Sequence, residues 1–200
     1  MDKEFYFTID KESVAEFKDR GSRFIAYAFP VKSVEDFKKR LTSLKEEHPK
    51  AVHNCFAYRL GVDGLVFRAG DDGEPSGSAG RPILGQIDSK ELTDIAIVVV
   101  RYFGGTLLGV PGLINAYKNS SSLALQTTPV VQKAVEVLYR LQFDYTLLNA
   151  VMTVIKQYNC TVLKQDMQLF CLAEISVPKN RLEEVLYKIR DLYTVDIQKI

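Results

Sequence analysis

The distribution of glycine constrains the fold of this chain more than any other feature. All 12 glycines lie between Gly21 and Gly112, and residues 113–200 contain none. Seven of the 12 fall in a first loop (residues 71–80) and a second loop (residues 104–112), on either side of the apolar run 95–100. Glycine permits positive φ and close backbone approach. We therefore expect two tight loops beside one central strand, each presenting backbone N–H groups and leading into a helix.

Periodicity predicts the elements of the glycine-containing part. Strands are predicted at residues 22–31, 52–60 and 65–68, with a hairpin turn at 61–64. Ser33 is a favourable N-cap for a helix ending at Glu47, and Pro82 is suited to the first turn of a short helix. A longer helix is predicted at 113–125. Residues 95–100 are apolar on both faces, which is typical of a central strand in a parallel sheet.

The pattern changes after residue 129 and indicates a second domain. Residues 131–143 alternate between apolar and polar types, as a half-exposed strand does. Two amphipathic helices, an intervening hairpin and a closing strand follow. The order βαββαβ is that of a split βαβ, or ferredoxin-like, unit. The prediction is an α+β protein of two domains, 1–129 with both loops and 130–200 with the ferredoxin-like unit.

Charge and composition limit the functional classes. With 26 basic and 25 acidic residues, the chain lacks the basic excess of a non-specific nucleic-acid binder. Nucleic-acid binding would need a local patch, for which the candidates are Arg20, Arg23, Arg59, Arg68 and Arg81. No apolar run approaches the ~20 residues that span a bilayer, and no secretory signal opens the chain. We expect a cytoplasmic protein that does not bind membranes.

The three cysteines support the same location. Cys55, Cys160 and Cys171 are scattered, without CxxC spacing. Such cysteines are typical of reduced, buried thiols in a reducing compartment. We expect them to be unbridged.

The first loop carries an acidic cluster, Asp71, Asp72 and Glu74. Paired carboxylates hold Mg²⁺ or act as acid and base, although aspartates in turns more often bond their own backbone. The candidates for catalysis are Asp72, Glu74 and His53. No serine or cysteine lies in an identifiable nucleophile elbow. We predict neither a metal site nor a cofactor.

Anion binding is the other chemistry that the two loops suggest. Residues 74–80 open onto Arg81 and resemble an anion cradle at a helix N-terminus, but lack the GK[ST] of a P-loop. Arg101 and Tyr102 end the central strand, where an arginine beside an aromatic ring suits phosphate contact and base stacking. The alternative is that Arg101 pairs with Asp72 or Glu74. The candidates for anion or nucleic-acid binding are Arg23, Asn54, Arg59, Ser76, Ser78, Arg81, Arg101 and Tyr102.

Four motifs carry a family resemblance. They are DDGEPSGSAGRPIL at 71–84, VVVRYFGGTLLG at 98–109, GSRFIA at 21–26 and HNCFAY at 53–58. They resemble the YigZ/IMPACT family over essentially the whole chain, more weakly after residue 129. The resemblance implies a first domain like the second domain of a small-subunit ribosomal protein and a ferredoxin-like second domain. Both are similar to domains four and five of elongation factor G.

The second loop departs from the family pattern. Relatives commonly carry lysine, glycine and arginine where this chain has Leu107, Pro111 and Asn115. Two cationic positions are therefore lost, and Lys118, at a position that is usually glycine, could restore one of the charges. These departures argue against strong electrostatic binding through this loop.

The leading hypothesis is a non-enzymatic cytoplasmic regulator of translation that binds RNA or ribosomes. It depends on the loop pair and on the resemblance to the translational regulator IMPACT. One alternative is an enzyme acting on a small phosphorylated or peptide substrate through the first loop. Another is a protein-binding module that docks a partner through its C-terminal sheet. The sequence leaves the oligomeric state open.

Overall fold

The chain divides into two compact units. A computed structural model describes residues 3–200, so the first two residues of the predicted domain 1–129 lie outside the described part. One unit comprises Tyr6–Lys133, and the other comprises Ala134–Ile200 with the described N-terminal residues up to Phe5. The division falls slightly later than the predicted boundary at 129/130. The N-terminal residues join the second unit because the backbone N–H of Val135 donates to the carbonyl oxygen of Glu4 at 2.7 Å.

Seven strands and three helices lie between Phe5 and Ala134. The strands are β1 (Phe5–Ile9), β2 (Ser13–Asp19), β3 (Ser22–Pro30), β4 (His53–Leu60), β5 (Val66–Gly70), β6 (Ile95–Tyr102) and β7 (Val130–Ala134). The helices are α1 (Val34–Glu47), α2 (Gly80–Asp88) and α3 (Gly109–Gln126). Five strands form one sheet in the order β2-β3-β6-β4-β5, and β1 pairs with β7 separately.

The five-stranded sheet is antiparallel, so the parallel sheet predicted around β6 is wrong. Strand β6 pairs antiparallel with both β3 and β4. Its two faces are nevertheless both apolar, because helices cover both sides of the sheet. Phe37 and Leu44 of α1 pack with Val98 and Val100 on one face. On the other face, α2 and α3 pack against Ile95, Ile97 and Val99.

The helices follow the sequence signals closely at some ends and not at others. The Ser33 hydroxyl accepts the backbone N–H of Asp36 at 3.1 Å, which confirms the predicted N-cap of α1. Helix α2 begins at Gly80, before Pro82, and α3 begins at Gly109, before Leu113.

Strand β2 has no counterpart among the strands predicted from the sequence. It forms the edge of the sheet, where its exposed charged residues mask the alternating pattern.

The second unit is a four-stranded antiparallel sheet with two helices. Its elements are β8 (Glu136–Asp144), α4 (Leu148–Gln157), β9 (Thr161–Met167), β10 (Phe170–Pro178), α5 (Leu182–Arg190) and β11 (Asp196–Lys199). The strand order is β11-β8-β10-β9. Leu141 and Ile175 of the sheet share a core with Val151 of α4 and Val185 of α5. The whole chain therefore has a mixed α/β fold.

The single strand predicted at 131–143 is in fact two strands. β7 and β8 belong to different sheets and are separated by Val135. Val135 leaves both ladders because its N–H bonds to Glu4 and its carbonyl oxygen accepts the N–H of Lys179 at 2.7 Å. Alternation alone did not reveal this break, since the apolar–polar pattern runs through it.

All three cysteines are unbridged. Cys55 and Cys171 are buried free thiols, and Cys160 is a partly buried one. Within residues 3–200, no helix has both the length and the apolar character needed to cross a membrane.

Candidate functional site

The first and second loops meet beside the end of β6 and border a pocket of about 420 Å³. Three polar residues line it, His53 from β4, Glu74 from the first loop and Arg101 from β6. The walls are otherwise apolar and include Val52, Phe103, Leu107, Leu108, Val110 and Leu113. The end of the central strand and the first loop therefore come together, although the sheet is antiparallel.

A buried ion pair lies at the polar end of the pocket. The Nη1 atom of Arg101 donates to Oε1 of Glu74 at 2.5 Å, and the two side chains are only 6% and 3% exposed. The Arg101 guanidinium also lies 5.3 Å from the ring centre of Phe24. Of the two roles weighed for Arg101, the structure shows the carboxylate pair, with Glu74 as the partner and not Asp72.

Two residues that the sequence did not single out complete this cluster. The hydroxyl of Tyr117 donates to Oε1 of Glu74 at 2.7 Å, and the thiol of Cys55 lies 3.2 Å from that hydroxyl. Burial raises the pKa of both Tyr117 and Cys55 well above their usual values. Both groups therefore stay protonated at neutral pH, and Cys55 is a hydrogen-bonding core residue and not a nucleophile.

His53 stands at the edge of the ion pair. Its Nδ1 atom lies 2.8 Å from the carbonyl oxygen of Asp72. A carbonyl only accepts, so Nδ1 donates this hydrogen bond, and in the corresponding neutral tautomer Nε2 is an acceptor. That Nε2 lies 3.9 Å from Oε2 of Glu74. Two of the three predicted catalytic candidates, His53 and Glu74, thus meet in the pocket.

Asp72, the third candidate, is a loop-building residue in this structure. Its carboxylate accepts the backbone N–H of Asn54 at 2.6 Å and lies 3.6 Å from Nζ of Lys45. Its backbone φ is 42°, which a turn-forming aspartate tolerates. Asp72 does not line the pocket. It fastens the start of the first loop to β4.

The predicted anion cradle exists, but the chain's own Asp71 occupies it. The Asp71 carboxylate accepts backbone N–H groups from Gly77, Ala79 and Gly80 at 2.8–3.0 Å. Burial raises the pKa of Asp71, but these three donors outweigh it and hold the pKa below its usual value. The expectation that these N–H groups face a phosphate is therefore wrong. They satisfy an internal carboxylate at the start of α2.

The two candidate serines and Asn54 also lie away from the pocket. Ser76 is exposed, whereas Ser78 is fully buried, and Ser78 Oγ has no hydrogen-bond partner among the described residues. The Oδ1 atom of Asn54 is likewise buried without a described partner. None of the three lines the pocket.

The remaining candidates do not converge on one basic patch. Arg23 pairs with Glu16 at 3.0 Å and lies over the ring of Tyr102, and Arg59 pairs with Asp88 at 2.7 Å. The Tyr102 hydroxyl is 2.7 Å from Nδ1 of His48. Arg81 is exposed on the first turn of α2. Of the eight anion-binding candidates, the pocket lining includes only Arg101.

The residues that could ligate a metal ion are scattered in the described part of the chain. Between residues 3 and 200, no three histidine, cysteine, aspartate or glutamate side chains converge in a way that could hold a metal ion. The polar groups that line the pocket are the Glu74–Arg101 ion pair and His53.

The fold and the site define a two-unit mixed α/β protein with a ligand-sized pocket between two glycine-rich loops. The Impact N-terminal domain model matches residues 20–125, a stretch that contains every pocket residue. The chain is 34% identical to the IMPACT family member YigZ of Escherichia coli, covering 90% of this chain and 89% of that protein. It is 38% identical to an IMPACT family member of Haemophilus influenzae, covering 78% and 76% of the two chains.

A solved structure agrees over both units. The crystal structure of a hypothetical protein superposes with a TM-score of 0.80 at 31% identity, covering 99% of this chain and 98% of that one. The chain belongs to the IMPACT family.

Proposed function

We propose that this protein regulates translation in the cytoplasm by binding the ribosome or its RNA, and that it does not catalyse a reaction. Membership of the IMPACT family, which includes a translational regulator, supports the process. The antiparallel order β11-β8-β10-β9 supports a ferredoxin-like second domain. The resemblance of both domains to those of elongation factor G supports the ribosome as the partner, by analogy of fold.

The observation that carries the binding role is the pocket itself. Binding sites are concave and mostly apolar, with a few placed polar groups, and this pocket has that composition. Its charges are already balanced, because Glu74 is neutralised by Arg101 and hydrogen-bonded to Tyr117. Cys55, the thiol of this cluster, is buried and protonated. The groups therefore support recognition better than bond breaking.

Gradient sedimentation tests this proposal. The tagged full-length protein is expressed in its own cells, and lysates are fractionated on sucrose gradients at low salt. We expect the protein to travel with ribosomal particles. If contacts to RNA phosphates dominate, the association should weaken steeply as salt is raised. Absence from ribosomal fractions, together with no affinity for RNA at low salt, would overturn the proposal.

A second candidate function is an enzyme acting on a small peptide or phosphorylated substrate. The specific observation in its favour is that Nε2 of His53 and Oε2 of Glu74 lie 3.9 Å apart at the pocket. An imidazole beside a carboxylate is a common pair for general acid–base work. This function predicts turnover that is lost in His53→Gln. A bound ligand that is never turned over would exclude it.

A further inference from the structure

We propose that the pocket binds a protein segment, which inserts one bulky apolar side chain of leucine or phenylalanine size between the two loops. The pocket is the same site as in the proposed function, so this partner class rests on that function and makes it more specific. Three observations support a protein segment: the exposed apolar rim, the polar atoms at the pocket's end, and the lack of unpaired cations in its lining.

The rim of the pocket is apolar and exposed. Val52, Phe103, Leu107 and Val110 all line the pocket and are large apolar residues open to solvent, with Leu107 82% exposed. Single exposed apolar residues are ordinary, but several gathered around one concavity mark an interaction site. A pocket of about 420 Å³ admits an aromatic side chain with its adjoining backbone. A central apolar anchor in such a pocket is the usual source of binding energy between proteins.

The polar end of the pocket complements a peptide group. The Nε atom of Arg101 is buried and has no hydrogen-bond partner among the described residues. Oε2 of Glu74 has His53 Nε2 as a neighbour at 3.9 Å, which is beyond hydrogen-bond distance. The pair therefore contains one unpaired donor and one unpaired acceptor, on two residues that line the pocket. Every peptide unit carries the matching acceptor and donor, its C=O and its N–H.

The charges of the lining argue against nucleic acid at this pocket. Among the described residues that line it, Arg101 is the only lysine or arginine, and Glu74 already neutralises it. The second loop, GGTLLGVPG, contains no cation at all. Binding to nucleic acid depends chiefly on phosphates meeting unpaired cations. A phosphate placed here would meet apolar side chains and the carboxylate of Glu74.

Nuclear magnetic resonance on the ¹⁵N-labelled full-length chain tests the proposal. The probes are capped heptapeptides that differ only in a central leucine, phenylalanine or aspartate, and a ten-residue oligouridine RNA. We expect saturable shifts of the Val52, Phe103 and Val110 amides with the leucine and phenylalanine peptides. The aspartate peptide and the RNA should leave these amides unshifted.

A matched pair of variants separates the pocket from the general surface. Leu107→Glu places a charge on the rim, whereas Leu65→Glu makes the same change at a residue that is 74% exposed. Leu65 lies in the β4–β5 hairpin, at the far end of β4 from His53. We expect Leu107→Glu to weaken peptide binding about tenfold or more, the effect of losing one interface contact. Leu65→Glu should bind as the parent chain does.

Several outcomes would overturn the proposal. RNA-induced shifts at the pocket amides, with none from the peptides, would assign the pocket to nucleic acid. Concentration-dependent self-association that Leu107→Glu abolishes would assign it to a second copy of the chain. Equal peptide binding by Leu107→Glu and Leu65→Glu, or no peptide shifts at all, would also refute it.

The two proposals fail separately. If Leu107→Glu loses peptide binding but still sediments with ribosomes, the pocket inference stands and ribosome association uses another surface. If the parent chain binds the peptides but never sediments with ribosomes or binds RNA, the proposed function is wrong and the pocket inference stands.

Discussion

The first and second loops are both rich in glycine, yet they use it in opposite ways. In the first loop, glycines close a turn in which the Asp71 carboxylate accepts three backbone N–H groups of the same loop. In the second loop and its flanks, they leave apolar side chains such as Phe103 and Leu107 facing solvent. One loop therefore fixes the polar end of the pocket, and the other provides a surface that a partner can cover. Glycine content alone does not distinguish a scaffold from a binding surface.

The largest effect should come from breaking the buried ion pair that the first loop holds. Arg101→Ala leaves Glu74 charged and uncompensated in a buried position, which typically costs about 3–5 kcal/mol of unfolding free energy. Urea denaturation at pH 7 measures this. Arg23→Ala is the control, because its ion pair with Glu16 is exposed and should leave the unfolding midpoint nearly unchanged. Equal midpoints for both variants would show that the pair contributes no more than a surface pair.

The next largest loss of unfolding free energy should come from a substitution at Gly104, at the base of the second loop. A Cβ on Gly104 would lie 1.9 Å from the carbonyl carbon of Gly21 and 2.1 Å from the nitrogen of Ser22. Both neighbours are backbone atoms, so Gly104→Ala should destabilise by about 3 kcal/mol, the upper part of the range for overpacking. Thermal unfolding checks the loss.

Gly105 is the control for that substitution. Its φ is +86°, but no described heavy atom lies within 4 Å of its added Cβ. Gly105→Ala should therefore cost only the strain of the left-handed conformation, about 1 kcal/mol. A larger loss for Gly105→Ala than for Gly104→Ala would contradict the close approach of the two chain segments.

Asp71→Asn should produce a smaller loss of unfolding free energy, and this loss should depend on pH. The change keeps the shape but removes the charge, and at least one of the three hydrogen bonds is lost because the amide NH₂ group of asparagine cannot accept. Together these effects are worth on the order of 1–2 kcal/mol after discounting for partial exposure. The folded-state pKa of Asp71 lies below its unfolded value of 3.8. The charged form therefore stabilises the fold above pH 3.8, and this contribution disappears as the pH falls through the folded-state pKa.

Urea midpoints of the parent chain and of Asp71→Asn at pH 7, 5 and 3 test this sign. The difference should be largest at pH 7 and 5 and should shrink at pH 3. A difference that persists unchanged into acid would show that the carboxylate charge is not what holds the turn.

The smallest effect on stability should belong to Leu107→Glu. The side chain is 82% exposed, so the unfolding free energy should change by no more than about 0.5 kcal/mol. The same variant is expected to lose peptide binding, which separates a binding surface from a scaffold. A drop in unfolding free energy above about 1 kcal/mol, measured by urea denaturation, would place Leu107 in the structural part of the molecule.

Much of the secondary structure was predictable because it depends on local signals. The continuous apolar run at residues 95–100 identified the central strand, and Ser33 marked the start of α1. Strand direction was not predictable, because a strand covered by helices on both faces has the same composition in parallel and antiparallel sheets. The break at Val135 was missed for a similar reason, since its hydrogen bonds join residues far apart in the sequence.

The site was predictable in place but not in detail. The glycine-rich motifs and Arg101 located the pocket, and the sequence proposed Glu74 as a possible partner. The sequence did not single out Tyr117, because on the inner face of α3 it resembles an ordinary core residue. Its role depends on the hydrogen bond of its hydroxyl to Glu74, which only the folded structure shows. Asp71 was expected to form turns and caps, but its nearness in space to three N–H groups of the same loop is a property of the folded turn.

The Asp71 turn has a consequence for how the protein responds to free anions. A carboxylate tethered six to nine residues from the N–H groups it binds acts as a ligand at an effective concentration on the order of millimolar or higher. A phosphate arriving from solution must first displace this carboxylate from its three hydrogen bonds. The start of α2 should therefore be insensitive to phosphate in the medium. Any anion dependence of this protein would have to arise on another surface.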